Sequence, residues 1–152
     1  MNDQSPARPR VRPEVRPEQF PYRTGDIVRF GDLDPQGHVN NAVFATYFET
    51  GRVIPLRDAK YGLCVAAATF VMARIEIDFR KELHWPGTVE VATAVAEIGR
   101  RSFIFAQAIF RDGACAATCR ATMGLIDQAS RQPRALPDET VARLKDLMLR
   151  EG

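Results

Sequence analysis

The chain has 152 residues, of which 45% are hydrophobic and 26% are charged, and its formal net charge at pH 7 is +2. This composition is typical of one soluble globular domain, and so small a net charge argues against nucleic acid as a partner. No apolar run approaches the roughly 20 residues that a membrane span requires, and the N-terminus lacks the apolar segment of a secretory signal. We therefore expect a cytoplasmic protein without a nucleic-acid or membrane partner.

Residues 1–22 differ in composition from the rest of the chain. They hold five of the ten prolines, interleaved with arginines, and show no apolar periodicity. Such a segment cannot bury enough apolar surface to order itself, so we predict an extended, mobile tail over 1–22. A role for this tail in binding a partner or an anionic surface is a minor alternative. The folded domain is then predicted to span 23–152.

The domain is predicted to begin with a strand, a turn and a helix. Residues 26–30 form the strand, and residues 31–37 are rich in turn formers. From Asn41 the apolar residues recur with helical spacing, and Asn40 or Asn41 is a suitable N-cap. Pro55 is predicted to end or kink this helix.

Four strands and a second helix are predicted next, with the strands over residues 70–81, 88–98, 102–111 and 114–127. In the first of these strands Val71, Ala73, Ile75, Ile77 and Phe79 alternate with Met72 and then with charged residues, and they define one face. An amphipathic helix is predicted to open at Pro137. This order of elements predicts an α+β domain in which one antiparallel sheet wraps around a central helix.

The cysteines do not predict a metal site. Cys64, Cys115 and Cys119 include no Cys-x-x-Cys pair of the kind common in zinc sites, and the chain has only two histidines. Free thiols in a reducing compartment are the simpler interpretation. We therefore expect no structural zinc.

The turn and the start of the first helix carry a recognisable motif, Asp32-Leu-Asp-Pro-Gln-Gly-His-Val-Asn-Asn41. Together with its flanks over residues 28–49, it resembles the opening of the 4-hydroxybenzoyl-CoA thioesterase family of hotdog-fold acyl-CoA thioesterases. The likeness extends over about residues 24–150. It implies the hotdog fold and hydrolysis of an acyl-CoA to free acid and CoA, without a metal or redox cofactor. It also implies a homodimer as the minimal unit, commonly paired into a homotetramer.

The resemblance assigns the catalytic groups. Asp34 matches the catalytic carboxylate, and Asn41, with Asn40 just before it, matches the residue whose backbone N–H polarises the thioester carbonyl. A helix N-terminus offers free N–H donors and a favourable dipole to a developing oxyanion. A nearby carboxylate can either activate water as a general base or attack directly to form an anhydride. The sequence leaves both routes open.

The substrate-binding residues are predicted on the same basis. Gly37 and His38 adjoin the catalytic motif, although Gly37 is also a natural turn glycine and His38 also suits a structural or substrate-positioning role. Arg100, Arg101 and Ser102 match the family's contacts to the nucleotide phosphates of CoA, which guanidinium groups bind well. Acyl carrier protein in place of CoA remains an alternative.

Two other functions remain open. A hotdog hydratase or dehydratase needs a catalytic histidine beside a carboxylate, which Asp34 and His38 could imitate, but the chain lacks the His-Phe-Pro-Gly string of fatty-acid dehydratases. A non-catalytic protein that binds acyl thioesters is the other alternative, since fold alone does not establish activity.

The small residues of the loop 62–69 are predicted to border the acyl pocket.

Overall fold

The computed structural model describes residues 12–152 and contains one five-stranded antiparallel sheet in the order β1-β3-β4-β5-β2. The elements are β1 Tyr22–Val28, α1 Asn41–Arg57, β2 Ala68–Phe79, β3 Gly87–Ile98, β4 Ser102–Arg111, β5 Ala114–Asp127 and α2 Asp138–Asp146. The predicted α+β architecture is therefore confirmed. Within residues 12–152, no helix is both long enough and apolar enough to cross a membrane.

Helix α1 packs on the sheet through an aromatic stripe. Phe44, Tyr47 and Phe48 are at most 2% exposed, and they recur at the three- to four-residue spacing of one helix face. Pro55 lies inside α1 and does not end it, because the helix continues to Arg57. Proline cannot donate to the carbonyl four residues earlier, and the Thr93 hydroxyl donates to that carbonyl, on Gly51, at 3.1 Å.

A buried polar network surrounds this contact between α1 and the sheet. Arg52, 5% exposed, donates to the side-chain oxygen of Gln107 at 3.0 Å. The amide nitrogen of Gln107 donates to the carbonyl of Phe48 and to the Thr93 hydroxyl. Burial lowers the pKa of Arg52. The network satisfies polar groups that burial would otherwise leave unpaired.

Gly51 allows the close approach of α1 to the sheet. A Cβ atom on Gly51 would lie 2.5 Å from Cγ1 of Val91 and 2.9 Å from both Nε2 of Gln107 and Oγ1 of Thr93. We expect Gly51→Ala to lower the free energy of unfolding by about 1–3 kcal/mol, because overpacking outweighs the better helix propensity of alanine. Urea denaturation measures this change. Gly124→Ala is the matched control, since a Cβ there meets nothing within 4 Å; equal losses in the two variants would contradict the prediction.

Strand β2 contains a β-bulge that the sequence pattern did not reveal. The register with β5 shifts between Met72 and Arg74, so Ala73 has no partner. A single extra residue reverses the alternation of faces. The predicted face is therefore correct from Ile75 onward and wrong before the bulge, where Phe70 rather than Val71 packs against the core.

Residues 12–21 contact the domain that follows them. Phe20 is 5% exposed and packs edge-on against Phe110. Arg12 donates to the carbonyl of Phe79, and Arg80 donates to the carbonyl of Pro13. Strand β1 covers Tyr22–Val28 and not the predicted 26–30, since its pairing with β3 begins at Tyr22 and ends at Val28. Residues 30–32 form a 3₁₀ turn instead. The remainder of the predicted tail, residues 1–11, lies outside the described residues.

Candidate active site

The loop between β1 and α1 is closed by its own backbone. Leu33 and Val39 form an antiparallel bridge, and the N–H of Asp34 donates to the carbonyl of His38 at 2.8 Å. Gly37 has a φ of 82°, which a side chain would disfavour. These features fold residues 33–39 into a tight turn with Asp34 at one end and His38 at the other.

The carboxylate of Asp34 is held by one of its oxygens. Oδ1 accepts the backbone N–H of Gln36 at 2.9 Å and that of His38 at 3.3 Å. No residue between 12 and 152 donates a hydrogen bond to Oδ2. The carboxylate is thus oriented by the loop and keeps one oxygen available for chemistry.

Asp32, the other aspartate of the motif, has a structural role. Its Oδ2 accepts the Tyr47 hydroxyl at 2.6 Å and the backbone N–H of Arg29 at 2.8 Å, and its carbonyl accepts the N–H of Asn40 at 2.9 Å. Burial, and then the hydrogen bond to Asp32, raise the pKa of Tyr47, so its hydroxyl stays protonated and donates. These bonds join the loop to the buried face of α1.

Removal of the Tyr47 hydroxyl should loosen this loop. We expect Tyr47→Phe to lower the free energy of unfolding by about 1.5–3 kcal/mol, because a hydrogen bond to a charged group is lost and the ring remains. Tyr61→Phe is the control, since the Tyr61 hydroxyl has no hydrogen-bond partner among residues 12–152. Denaturant unfolding of both variants measures the difference; a Tyr47→Phe protein as stable as the control would contradict this role.

The N-terminus of α1 lies at the same place. Oδ1 of Asn40 accepts the backbone N–H of Ala42 at 2.9 Å, so Asn40 is the N-cap and its side-chain oxygen is occupied. Asn41 is the first helical residue, and its N–H has no acceptor within the described part of the chain. The free donor therefore belongs to Asn41.

Asp34 and Asn41 border one pocket of about 360 Å³. Phe44 and Phe79 pack edge-on in its wall, with ring centroids 5.1 Å apart. The full lining is Asp34, Gln36, His38, Val39, Asn41, Phe44, Phe79, Arg80, Lys81 and Glu82. A carboxylate, a free backbone donor and an apolar wall thus meet in one pocket, whose volume lies at the lower end of the range of small-molecule sites.

The imidazole of His38 turns away from Asp34. Its Nε2 lies 3.2 Å from Oε2 of Glu82, and its ring packs edge-on against that of His84 at 5.1 Å. Asp34 instead contacts the backbone of His38. The described contacts therefore contain no side-chain hydrogen bond between Asp34 and His38, the pair that a hydratase would use.

Arg100, Arg101 and Ser102 lie far from this pocket in the same chain. Arg100 and Arg101 lie in the exposed turn between β3 and β4, and half-buried Ser102 begins β4. There Ser102 pairs with Gly124, and Gly124 pairs with Val71. At the pocket, Phe79 pairs with Ala117. Ala117 and Gly124 are seven positions apart along β5, which is about 23 Å at the rise of a strand. One chain alone does not bring the predicted phosphate-binding residues to Asp34.

Other cavities border none of the predicted site residues. An open cleft of about 680 Å³ lies beside β1 and the turn between β4 and β5. A second pocket of about 310 Å³ lies between α1 and the β2 side of the sheet, and Cys64, Val65, Ala68 and Thr69 from the predicted acyl-pocket loop line it. Arg52 and Phe70 also border this second pocket.

Comparison with known proteins identifies the family. The model of the thioesterase-like superfamily matches residues 28–144, which include the whole candidate site. The chain belongs to the thioesterase-like superfamily. The predicted relationship to hotdog thioesterases is thereby confirmed. No curated protein matches the chain significantly.

Solved structures of this thioesterase-like protein's relatives share the hotdog fold. A Pseudomonas aeruginosa protein is 25% identical, with a TM-score of 0.80 over 90% of this chain and 98% of that one. A Thermus thermophilus thioesterase, complexed with coenzyme A and Zn, is 30% identical, with a TM-score of 0.73 over 85% of this chain and 95% of that one. A DHNA-CoA thioesterase of Staphylococcus aureus, 22% identical, has a TM-score of 0.71 over 82% of this chain and 90% of that one, a likeness of fold alone.

Proposed function

We propose that this protein hydrolyses an acyl-CoA thioester to the free acid and CoA. The observation that carries the proposal is that the carboxylate of Asp34 and the free N–H of Asn41 border one pocket in a thioesterase-like fold. The thioester carbonyl accepts the Asn41 N–H, and Asp34 either activates water or attacks the carbonyl carbon itself. One such donor contributes about 3 kcal/mol to the stability of an oxyanion-like transition state.

Asp34 supports two balanced routes. As a general base it takes a proton from water while the water oxygen bonds to the carbonyl carbon; the C–S bond then breaks and the thiolate of CoA leaves. As a nucleophile it bonds to the carbonyl carbon, expels the thiolate and forms an anhydride that water cleaves. The oxygen Oδ2, which accepts no hydrogen bond from residues 12–152, is available for either role.

A homodimer is the proposed active unit, and it forms through β2. This strand is 12 residues long and lies at the edge of the sheet, where its outer N–H and C=O groups can pair with another strand. Met72 and Phe79 on it are 45% and 41% exposed. Antiparallel pairing of two β2 strands makes one continuous sheet, and two such dimers form the proposed homotetramer.

Dimerisation also accounts for Arg100, Arg101 and Ser102. Antiparallel pairing makes the sheets of the two subunits run in opposite directions. The β3–β4 turn of one subunit therefore lies at the same end of the joined sheet as Asp34 of the other subunit. These residues then bind the phosphates of CoA from across the interface, beside Gly37 and His38. The coenzyme A complex of the Thermus thermophilus relative supports CoA over acyl carrier protein.

Analysis of the products separates this function from its alternatives. Purified protein is incubated with acyl-CoAs from acetyl to palmitoyl, with benzoyl- and hydroxybenzoyl-CoA, and with an enoyl-CoA, and the products are identified by mass spectrometry. Hydrolysis gives equal amounts of acid and CoA. A hydrated acyl-CoA with no free CoA would instead indicate a hydratase that uses His38 and Glu82, and unchanged but tightly bound acyl-CoA would indicate a binding protein.

A further inference from the structure

Two loops distant in sequence are joined beside the candidate active site. The N–H of Val39 donates to the carbonyl of Leu83 at 2.8 Å, and both side chains are buried, at 2% and 1% exposure. Adjacent side chains in extended backbone point to opposite sides, so the neighbours of Leu83, Glu82 and His84, face outward. His38 precedes Val39 on the other loop. The join therefore brings His38, Glu82 and His84 together at the surface.

The donor atoms of these three side chains lie close to one another. Nε2 of His38 and Nε2 of His84 are 3.2 Å and 3.8 Å from Oε2 of Glu82, and one donor atom from each residue lies within 4.8 Å of the others. Tetrahedral zinc, with bonds of about 2.0–2.2 Å, holds its ligand atoms roughly 3.3 Å apart. Small side-chain rotations convert the observed arrangement into three ligands around one ion.

The backbone that carries the ligands is held in place. Arg111 donates to the carbonyls of His84 and Pro86. The loop of His38 is closed by its hydrogen bond with Asp34. Ligands on a fixed backbone lose little entropy when an ion binds.

We propose that His38, Glu82 and His84 form a binding site for a Zn²⁺ ion. Two imidazoles and one carboxylate are a ligand set that zinc uses where it keeps a coordination position open. Imidazole favours zinc and similar late transition metals over Mg²⁺ and Ca²⁺. Arg80 and Lys81 border the neighbouring pocket of Asp34 and add positive charge nearby. The affinity for zinc therefore comes from the type of ligand and not from an excess of negative charge. His38 and Glu82 also line the pocket of Asp34, which places the ion at its edge.

Calorimetric titration with Zn²⁺ tests the site. The full chain, free of any histidine tag, is stripped with a chelator and titrated as wild type, His84→Gln and Cys64→Ser. We expect one ion per chain in the wild type and at least about a 100-fold weaker affinity in His84→Gln, since even changes behind a ligand cost 10- to 100-fold. The exposed thiol of Cys64 is the competing ligand, and its removal should leave the affinity unchanged.

X-ray absorption at the zinc edge provides the second readout. The proposal requires nitrogen and oxygen neighbours with the signature of imidazole and no sulfur, while circular dichroism verifies that His84→Gln is folded. Zinc binding that is absent from the wild type, equally strong in His84→Gln, or lost in Cys64→Ser would overturn the proposal. A sulfur neighbour in the wild-type spectrum would overturn it as well.

Discussion

Asp34→Asn is expected to lower kcat for acyl-CoA hydrolysis by roughly 10²- to 10⁴-fold, the range that positioned acid–base groups contribute. Asparagine keeps the size of the side chain and an oxygen that can accept the N–H groups of Gln36 and His38, so the loop should keep its shape. It can neither take a proton from water nor attack the thioester. The initial rate of CoA release at saturating substrate measures the loss.

Asp112→Asn is the matched control for this variant. Asp112 lies in the turn between β4 and β5 with a φ of 51°, a conformation that asparagine also tolerates, and it lines no part of the Asp34 pocket. The control should keep the wild-type rate. A folded Asp34→Asn protein that also keeps the wild-type rate would reduce Asp34 to a loop residue.

A single turnover in heavy-oxygen water tests for an anhydride that water cleaves at the aspartyl carbon. The general-base route, like cleavage of an anhydride at the acyl carbon, places the label in the acid product alone. An anhydride cleaved at the aspartyl carbon places it in the peptide that contains Asp34. Mass spectrometry of that peptide reads the outcome directly.

Mixed dimers are expected to recover activity from two defective proteins. If the site combines Asp34 of one subunit with Arg101 of the other, a heterodimer of Asp34→Asn and Arg101→Ala contains one intact site and one doubly defective site. Random mixing makes half of the dimers heterodimers, so the mixture should reach about a quarter of the wild-type rate. The assay uses substrate well below KM, where loss of the phosphate contact by Arg101→Ala is most evident.

The pattern of recovery distinguishes a shared site from a site within one chain. The two proteins are unfolded together and refolded, because subunits of a stable dimer exchange slowly. In the control mixture, Arg150→Ala replaces Arg101→Ala. This variant alters an exposed arginine outside the β3–β4 turn. The rate of the control mixture should equal the rate that its active Arg150→Ala subunits contribute. A mixture of the first pair no more active than the mean of its components would contradict a site shared across β2.

Much of the fold could be predicted because the decisive signals are local. Alternation of apolar residues and the turn formers between them placed the strands over 102–111 and 114–127, where β4 and β5 are found. The bulge at Ala73 was missed because an extra residue leaves no mark in an alternating sequence. The burial of Arg52 likewise leaves no mark in the sequence, because it depends on Gln107 and Thr93 on neighbouring strands.

The same distinction between local and long-range contacts applies to the candidate site. Asp34 and Asn41 are seven residues apart on one turn and the helix that follows it, so local structure keeps them close and both border one pocket. Glu82 and His84 lie close to His38 because the N–H of Val39 donates a hydrogen bond to the carbonyl of Leu83. No spacing rule relates residues 38 and 84, so the sequence alone does not indicate that these two imidazoles lie side by side. The position of Arg101 at the far end of the sheet likewise depends on strand register.

Release of CoA thiol by the purified wild-type protein, measured across acyl-CoAs from acetyl to palmitoyl and with benzoyl- and hydroxybenzoyl-CoA, is the most direct measurement. The proposed function predicts steady multiple turnover of at least one substrate, with Asp34→Asn reduced toward the background rate. A folded, dimeric wild-type protein that releases no thiol from any of them would contradict thioester hydrolysis by this chain.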